Sequence, residues 1–166
     1  MASSTRSHNP LLVNYFEFIL NRTPNIVYFC QSVTIPGIGF GVADQPTIFG
    51  HPIKVPTGAF RFEELELSFR VNEDFSNWLE LYNWIRTTGN FTSDCSTLPY
   101  NQKTSDATLL ITNSAYAPKF KVHFKQVFPQ YVSGIKFFVN AATSTEVIAN
   151  VKFAHSGYNI EALEIP

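Results

Sequence analysis

Charge is scarce in this 166-residue chain: Asp, Glu, Lys and Arg make up 15%, against about 25% in ordinary soluble domains. Twelve basic and thirteen acidic residues leave a formal charge of −1, so there is no basic footprint for gripping nucleic acid. No apolar run approaches the roughly 20 residues of a membrane-spanning helix. Residues 1–10, MASSTRSHNP, carry no hydrophobic signal segment, and the chain reads as one kept in a cytosol-like space without a membrane anchor. Cysteine is nearly missing: Cys30 lies in an apolar strand pattern and Cys95 in a polar stretch, and a reducing compartment opposes a disulfide between them. The triplets Asn21-Arg22-Thr23 and Asn90-Phe91-Thr92 have no consequence without a secretory route.

Chemistry-bearing constellations are missing as well. His8, His51, His123 and His155 are scattered, with no HxxxH or CxxC pair to preorganise a metal. No GxSxG elbow offers a nucleophile, and Cys95 has no neighbour in sequence to activate it. Gly37, Gly39 and Gly41 are spaced GxGxG, and no helix pattern follows to cradle a phosphate. Glu64 and Glu66 alternate with Leu65 and Leu67 as the wet face of a strand, and Lys119, Lys121 and Lys125 do the same opposite Phe120, Val122 and Phe124. These absences predict a protein without catalytic residues, cofactor or metal.

What is abundant is aromatic surface: sixteen Phe, and 15% aromatics in all. Residues 13–20 alternate with Phe16, Phe18 and Leu20 on one face, and residues 26–35 resume the pattern after the turn NRTPN, which predicts a hairpin. Residues 35–59 then hold four prolines and five of the eight glycines, a density that breaks a continuous ladder and predicts an irregular projecting arm with a short extended piece at 53–55. Ile38, Phe40, Ile48 and Phe49 would anchor that arm on a neighbour, since exposed apolar side chains in such number favour burial.

Residues 60–71 alternate again, with a change of parity at Glu63-Glu64 that predicts a bulge. The period then becomes helical over residues 73–88: Asn72 as cap, Glu73 and Asp74 in the first turn, an apolar stripe of Phe75, Trp78, Leu79, Tyr82 and Ile85, and Gly89 as the stop. On this reading Trp78 enters the core and Trp84 is either a packing edge or a partner contact. Residues 91–105 read as a mobile polar loop, and strands follow at 107–113, 119–128 (ended by Pro129), 132–139 and 147–155. Strands with short connections and one helix predict a mainly β fold, an antiparallel β-sandwich or squat barrel with one covering helix. The domain organisation is a flexible segment at 1–12 followed by a single domain at 13–166.

Read from end to end, the chain resembles the tail tube proteins of contractile-tailed bacteriophages, whose fold is shared with the tube protein of type VI secretion. The resemblance is carried by FEELELSFRVNEDFSNWLELYNWIRTTG at 62–89, by YFCQSVTIPGI at 28–38 with the arm after it, and by KVHFKQVFPQYVSGIKFFV and EVIANVKFAHSGYNI at 121–139 and 146–160. It covers residues 13–163. It implies a virion protein assembled in the host cytoplasm, six copies per ring and about four strands per copy. Some 24 strands at ~4.8 Å spacing would close a barrel on the order of 50 Å across. Stacked rings would form an inner tail tube through which DNA passes unbound, with sheath, baseplate and terminator proteins as partners. Under the same resemblance the arm at 35–59 stacks rings through Ile38, Phe40, Ile48 and Phe49, and the helix faces outward, where Trp84 or Arg86 meets a sheath subunit. The alternatives are a tube initiator or terminator, a secretion-system tube and, from a different class, a carbohydrate-binding β-sandwich module.

Overall fold

The structure, a computed structural model, describes residues 16–48, 50–89, 99–113, 116–139 and 146–163. The expectations for residues 1–12, Phe49 and Cys95 lie outside them. In chain order the elements are β1 (Phe16–Leu20), α1 (Pro24–Tyr28), β2 (Cys30–Thr34), β3 (Ile38–Gln45), β4 (Ile53–Phe62), β5 (Leu65–Arg70), α2 (Ser76–Thr88), α3 (Tyr100–Lys103), β6 (Ser105–Thr112), β7 (Pro118–Val132), β8 (Ile148–Ala154) and β9 (Gly157–Ala162). All pairings are antiparallel. The fold is mainly β, as the alternation predicts, in open sheets without a closed barrel.

The long strand β7 organises the body. Its first half pairs β6 on one side and β9 on the other, and β6 in turn pairs β1. Its second half pairs β8, followed by β5 and β2. The strand changes partners at Gln126, whose φ of 55° lies in the left-handed region. The Gln126 amide donates to Asp106 Oδ1 at 3.1 Å, and its side chain accepts from Ser156 Oγ. A non-glycine residue held at positive φ costs on the order of 1 kcal/mol, so the surrounding bonds must hold it there. Pro129 does not end the strand. It is buried within it, and the ladder tolerates the missing N–H by a register shift between Pro129 and Tyr131.

Two four-stranded layers result, β1-β6-β7-β9 and β7-β8-β5-β2, and the inward parity of each supplies the core. Phe18 and Leu20 from β1, Leu65, Leu67 and Phe69 from β5, Val122 and Phe124 from β7, and Val151 and Phe153 from β8 are all buried. The outward parity of the second layer is polar. Lys152 pairs with Glu66 at 2.6 Å and Glu64 at 3.6 Å, and Ser68 donates to Asn150 at 2.7 Å. Glu64 and Glu66 are therefore the solvated face that alternation predicts.

Several local expectations are corrected. Residues 13–20 and 26–35 do not form a hairpin: Pro24 opens a short helical turn, β1 goes to β6 and β2 to β5. At Glu63-Glu64 the chain does not bulge within one strand but passes from one sheet to another, with β4 on one side and β5 on the other. Residues 133–139 are not a strand, whereas 157–162, unassigned from sequence, form β9. The stretch at 91–105 contains the short helix α3 and the start of β6.

The helix begins later than its sequence pattern suggests. Phe75 sits at φ 60°, which excludes it from the helix, and α2 starts at Ser76. Asn72 still organises this end: its side chain donates to Ser76 Oγ at 2.6 Å and accepts from the Asn77 amide at 3.4 Å. Asn77, fully buried, returns a bond from its own side chain, accepting from the Asn72 amide at 3.3 Å and donating to the Arg70 carbonyl at 2.7 Å. The buried stripe is Asn77, Leu81 and Trp84, not the Phe75–Ile85 set. Phe75, Trp78 and Tyr82 instead form a stack along the partly exposed flank, with centroid separations of 5.0 and 5.5 Å.

Candidate assembly surface

Residues 35–59 project, but not as an irregular arm. β3 and β4 form a two-stranded antiparallel hairpin that is separate from the main sheets. The glycines make this possible. Gly39 and Gly41 lie on one face of β3, and a Cβ on Gly41 would come within 2.5 Å of Thr57 Oγ1, which donates to the Gly41 carbonyl at 2.7 Å. Opposite Gly41 the β4 strand carries extra residues, with Gly58 at φ 72°, so the predicted break in the ladder is a bulge inside a hairpin.

Side chains alternate, so Ile38, Phe40 and Val42 occupy the other face. In register they meet Phe62, Phe60 and Pro56. Phe40 and Phe60 pack with ring centroids 4.7 Å apart, yet each remains about 60% exposed. Ile38 and Val42 are similarly exposed, and the stripe ends in the polar pair Asp44 and Lys54. Isolated two-stranded hairpins are marginal in water, and an apolar stripe on one is a surface built to be covered.

The hairpin root is clamped to the body. Gly37 and Glu63 exchange two bonds, amide to carbonyl at 3.1 Å and amide to carboxylate at 3.2 Å. Tyr158 donates its hydroxyl to the Pro36 carbonyl at 2.8 Å, and the His155 ring bonds the Glu63 carbonyl through Nε2 at 3.0 Å. Phe62 packs between His155 and Tyr158 with centroids 5.8 and 5.7 Å away. The stripe is thus held at a defined angle.

Of the residues expected to make subunit contacts, Ile38 and Phe40 share the exposed stripe, and Ile48 stands apart at the hairpin tip, 94% exposed. Val42 and Phe60 belong with them and were not singled out from sequence, because the bulge that brings Phe60 opposite Phe40 cannot be read from the alternation of either strand. Trp84 is not available to a sheath subunit. It is 3% exposed, donates from Nε1 to the Lys103 carbonyl at 2.8 Å, packs on Phe153 and carries the Arg22 guanidinium over its ring. Arg86 is exposed in the last turn of α2.

Unpaired strand edges make up the rest of the surface. In the first layer the outer strands are β1 and β9, and in the second they are β2 and the second half of β7. On the outward face of the first layer Lys121 stands between Glu161 of β9 and Leu110 of β6, and Glu17 of β1 lies beyond Leu110, two strands from Lys121. Of the three lysines Lys121 has an acid directly across the ladder, whereas Lys125 faces Gly157. Among the described residues, no cluster of three or more His, Cys, Asp and Glu side chains could hold a metal ion.

No protein-family model matches the chain. Among curated proteins, the tail tube terminator protein of Enterobacteria phage T4 is 22% identical over 143 residues, which span 85% of this chain and 81% of the relative. Among solved structures, the sheath/tube terminator of the PVC extracellular contractile injection system in its extended state superposes with a TM-score of 0.66 at 17% identity, covering 94% of this chain and 99% of that one. The sheath-tube complex of the same kind of system gives a TM-score of 0.65 at 16% identity, covering 98% and 100%.

Proposed function

We propose that this chain, whose fold is that of tube and tube-terminator proteins, is a structural protein that terminates the tube of a contractile tail or a related injection particle. Several copies, six as the resemblance to tail tube proteins implies, close into a ring seated on the last ring of the tube. The observation that carries the terminator reading over a tube-body reading is the sequence relationship to a tube terminator along most of the chain. Backbone similarity alone does not separate the two, because tube and terminator structures superpose equally well.

The ring is argued from strand edges. The first layer has four strands with an unpaired edge on each side, β1 and β9. Edge-to-edge addition of copies satisfies those backbone groups, and ring closure removes the last free edges. With this layer lining the bore, Glu161 opposite Lys121 and the chain's formal charge of −1 work against a phosphate trap, as a conduit for DNA requires. The hairpin stripe of Ile38, Phe40, Val42 and Phe60 then contacts the adjoining ring, and the outer flank of α2, with Arg86, faces the sheath.

The test is negative-stain microscopy of the purified protein with and without preassembled tubes. A terminator gives discrete rings and capped tubes that no longer elongate. Long filaments of this chain alone would instead make it the tube body, and single copies that ignore tube ends would sink both readings.

A further inference from the structure

Away from the hairpin, a groove of about 470 Å³ runs between the outer flank of α2 and the end of β7, walled by Tyr82, Ile85, Gln130, Tyr131 and Val132. The same chain carries an apolar tripeptide that is uncovered among the described residues. Phe137 and Phe138 are 78% and 75% exposed, and Val139 is fully exposed. We propose that the 135–139 segment of a second copy, IKFFV, fills this groove, so that each copy inserts its segment into the next around a ring. This inference rests on the ring reading above.

The chain's own segment leaves the groove at once. Val132 is part of the wall, but Ser133 is fixed from several directions: its amide donates to the Asn150 carbonyl at 2.8 Å, its carbonyl accepts from Trp78 Nε1 at 3.1 Å, and its hydroxyl accepts from the Asn150 amide at 2.9 Å. These bonds hold the chain to β8 and α2, and the tripeptide a few residues later stands away from the body. Groove and segment are different surfaces of one molecule, so a contact between them is head-to-tail, the kind that propagates and closes rings.

Size points the same way. Two Phe side chains at about three-quarters exposure present on the order of 300 Å². Counting both sides, the contact buries roughly 600 Å², about half of the smallest stable interfaces. It cannot hold two copies together alone, and it fits a supplementary contact in a ring already joined by its strand edges. The aromatic walls, Tyr82 and Tyr131, suit rings inserted from a neighbour, since aromatic pairs add to area burial.

The experiment places cysteines at the exposed positions Gln130 and Phe138 in a full-length chain carrying Cys30→Ser and Cys95→Ser. Oxidation of rings assembled on tube ends should give covalent ladders reaching the full ring, while either cysteine alone gives none. Rings that form and do not cross-link overturn the inference and leave the ring reading intact. A second variant, Phe137→Asp with Phe138→Asp, should melt like the parent and lower ring yield by at least about tenfold, since tenfold corresponds to only a small part of a contact this size. An unchanged yield overturns the inference. If the parent itself forms no rings, the ring reading falls and takes this one with it.

Discussion

Replacing Phe40 by Asp separates what holds one copy together from what joins copies. In the protomer Phe40 loses its packing on Phe60 at 4.7 Å, a contribution of about 1 kcal/mol for an aromatic pair. For a domain of this size 1 kcal/mol moves the melting temperature by about 2–4 °C. In an assembly the exposed 60% of the side chain is covered, on the order of 120 Å² if a Phe presents about 200 Å² in all. At about 25 cal/mol per Å² this is roughly 3 kcal/mol per contact, more than a hundredfold in affinity, before the desolvation of the new carboxylate is counted. Thermal unfolding of the isolated variant should therefore shift by only a few degrees, while sedimentation or tube-capping assays show a hundredfold loss. A variant that caps tubes at the parent's concentration would refute the assignment of the stripe. One that unfolds outright would refute the claim that the hairpin is peripheral to the core.

Other outcomes follow from the body of the fold. Trp84→Ala empties a buried site beside Phe153 and strands the Lys103 carbonyl, and should destabilise the protomer by about 3–5 kcal/mol, measurable by chemical denaturation. A much smaller loss would return Trp84 to the surface. Asn77→Ala leaves the Arg70 carbonyl and the Asn72 amide without their partner and should cost about 2–4 kcal/mol, with the loss concentrated in early amide exchange at the start of α2. Burial pushes the Cys30 thiol up to about 11, and a backbone hydrogen bond with Ser32 offsets part of that rise. The unfolded thiol ionises near 9, so the folded state keeps its advantage below that pH and loses it as pH rises from 9 towards 11. In a Cys95→Ser chain, alkylation at pH 8 should be far slower when folded than when denatured, and equal rates would refute the burial.

Much of the fold was legible because alternation and burial agree where a strand has one wet face. Phe18 and Leu20, Leu65, Leu67 and Phe69, and Val122 and Phe124 were assigned inward and lie inward. The helix was legible in existence and in its end at Gly89, but not in its start or its facing. The Asn72–Asn77 exchange and the left-handed Phe75 are tertiary choices that override a run of helix-compatible residues. For Trp84 the sequence leaves a packing edge and a partner contact both open, and burial decides for packing because its partners, Lys103 and Phe153, come from other elements. Gly and Pro density located the projecting segment but hid its regularity: Gly39 and Gly41 permit close strand approach, and Pro56 sits in an exposed strand where its missing N–H is tolerated. The first hairpin was misread because short sequence separation favours local pairing, whereas β1 and β2 each find partners dozens of residues away.

In the proposed assembly, copies of this chain complete one another's sheets at the end of a tube. Cryo-electron microscopy of the protein bound to tube ends tests it most directly. The expected result is a closed six-fold ring in which the β1 edge of each copy is hydrogen-bonded to the β9 edge of the next. Copies attached singly, with β1 and β9 still open to water, would contradict it.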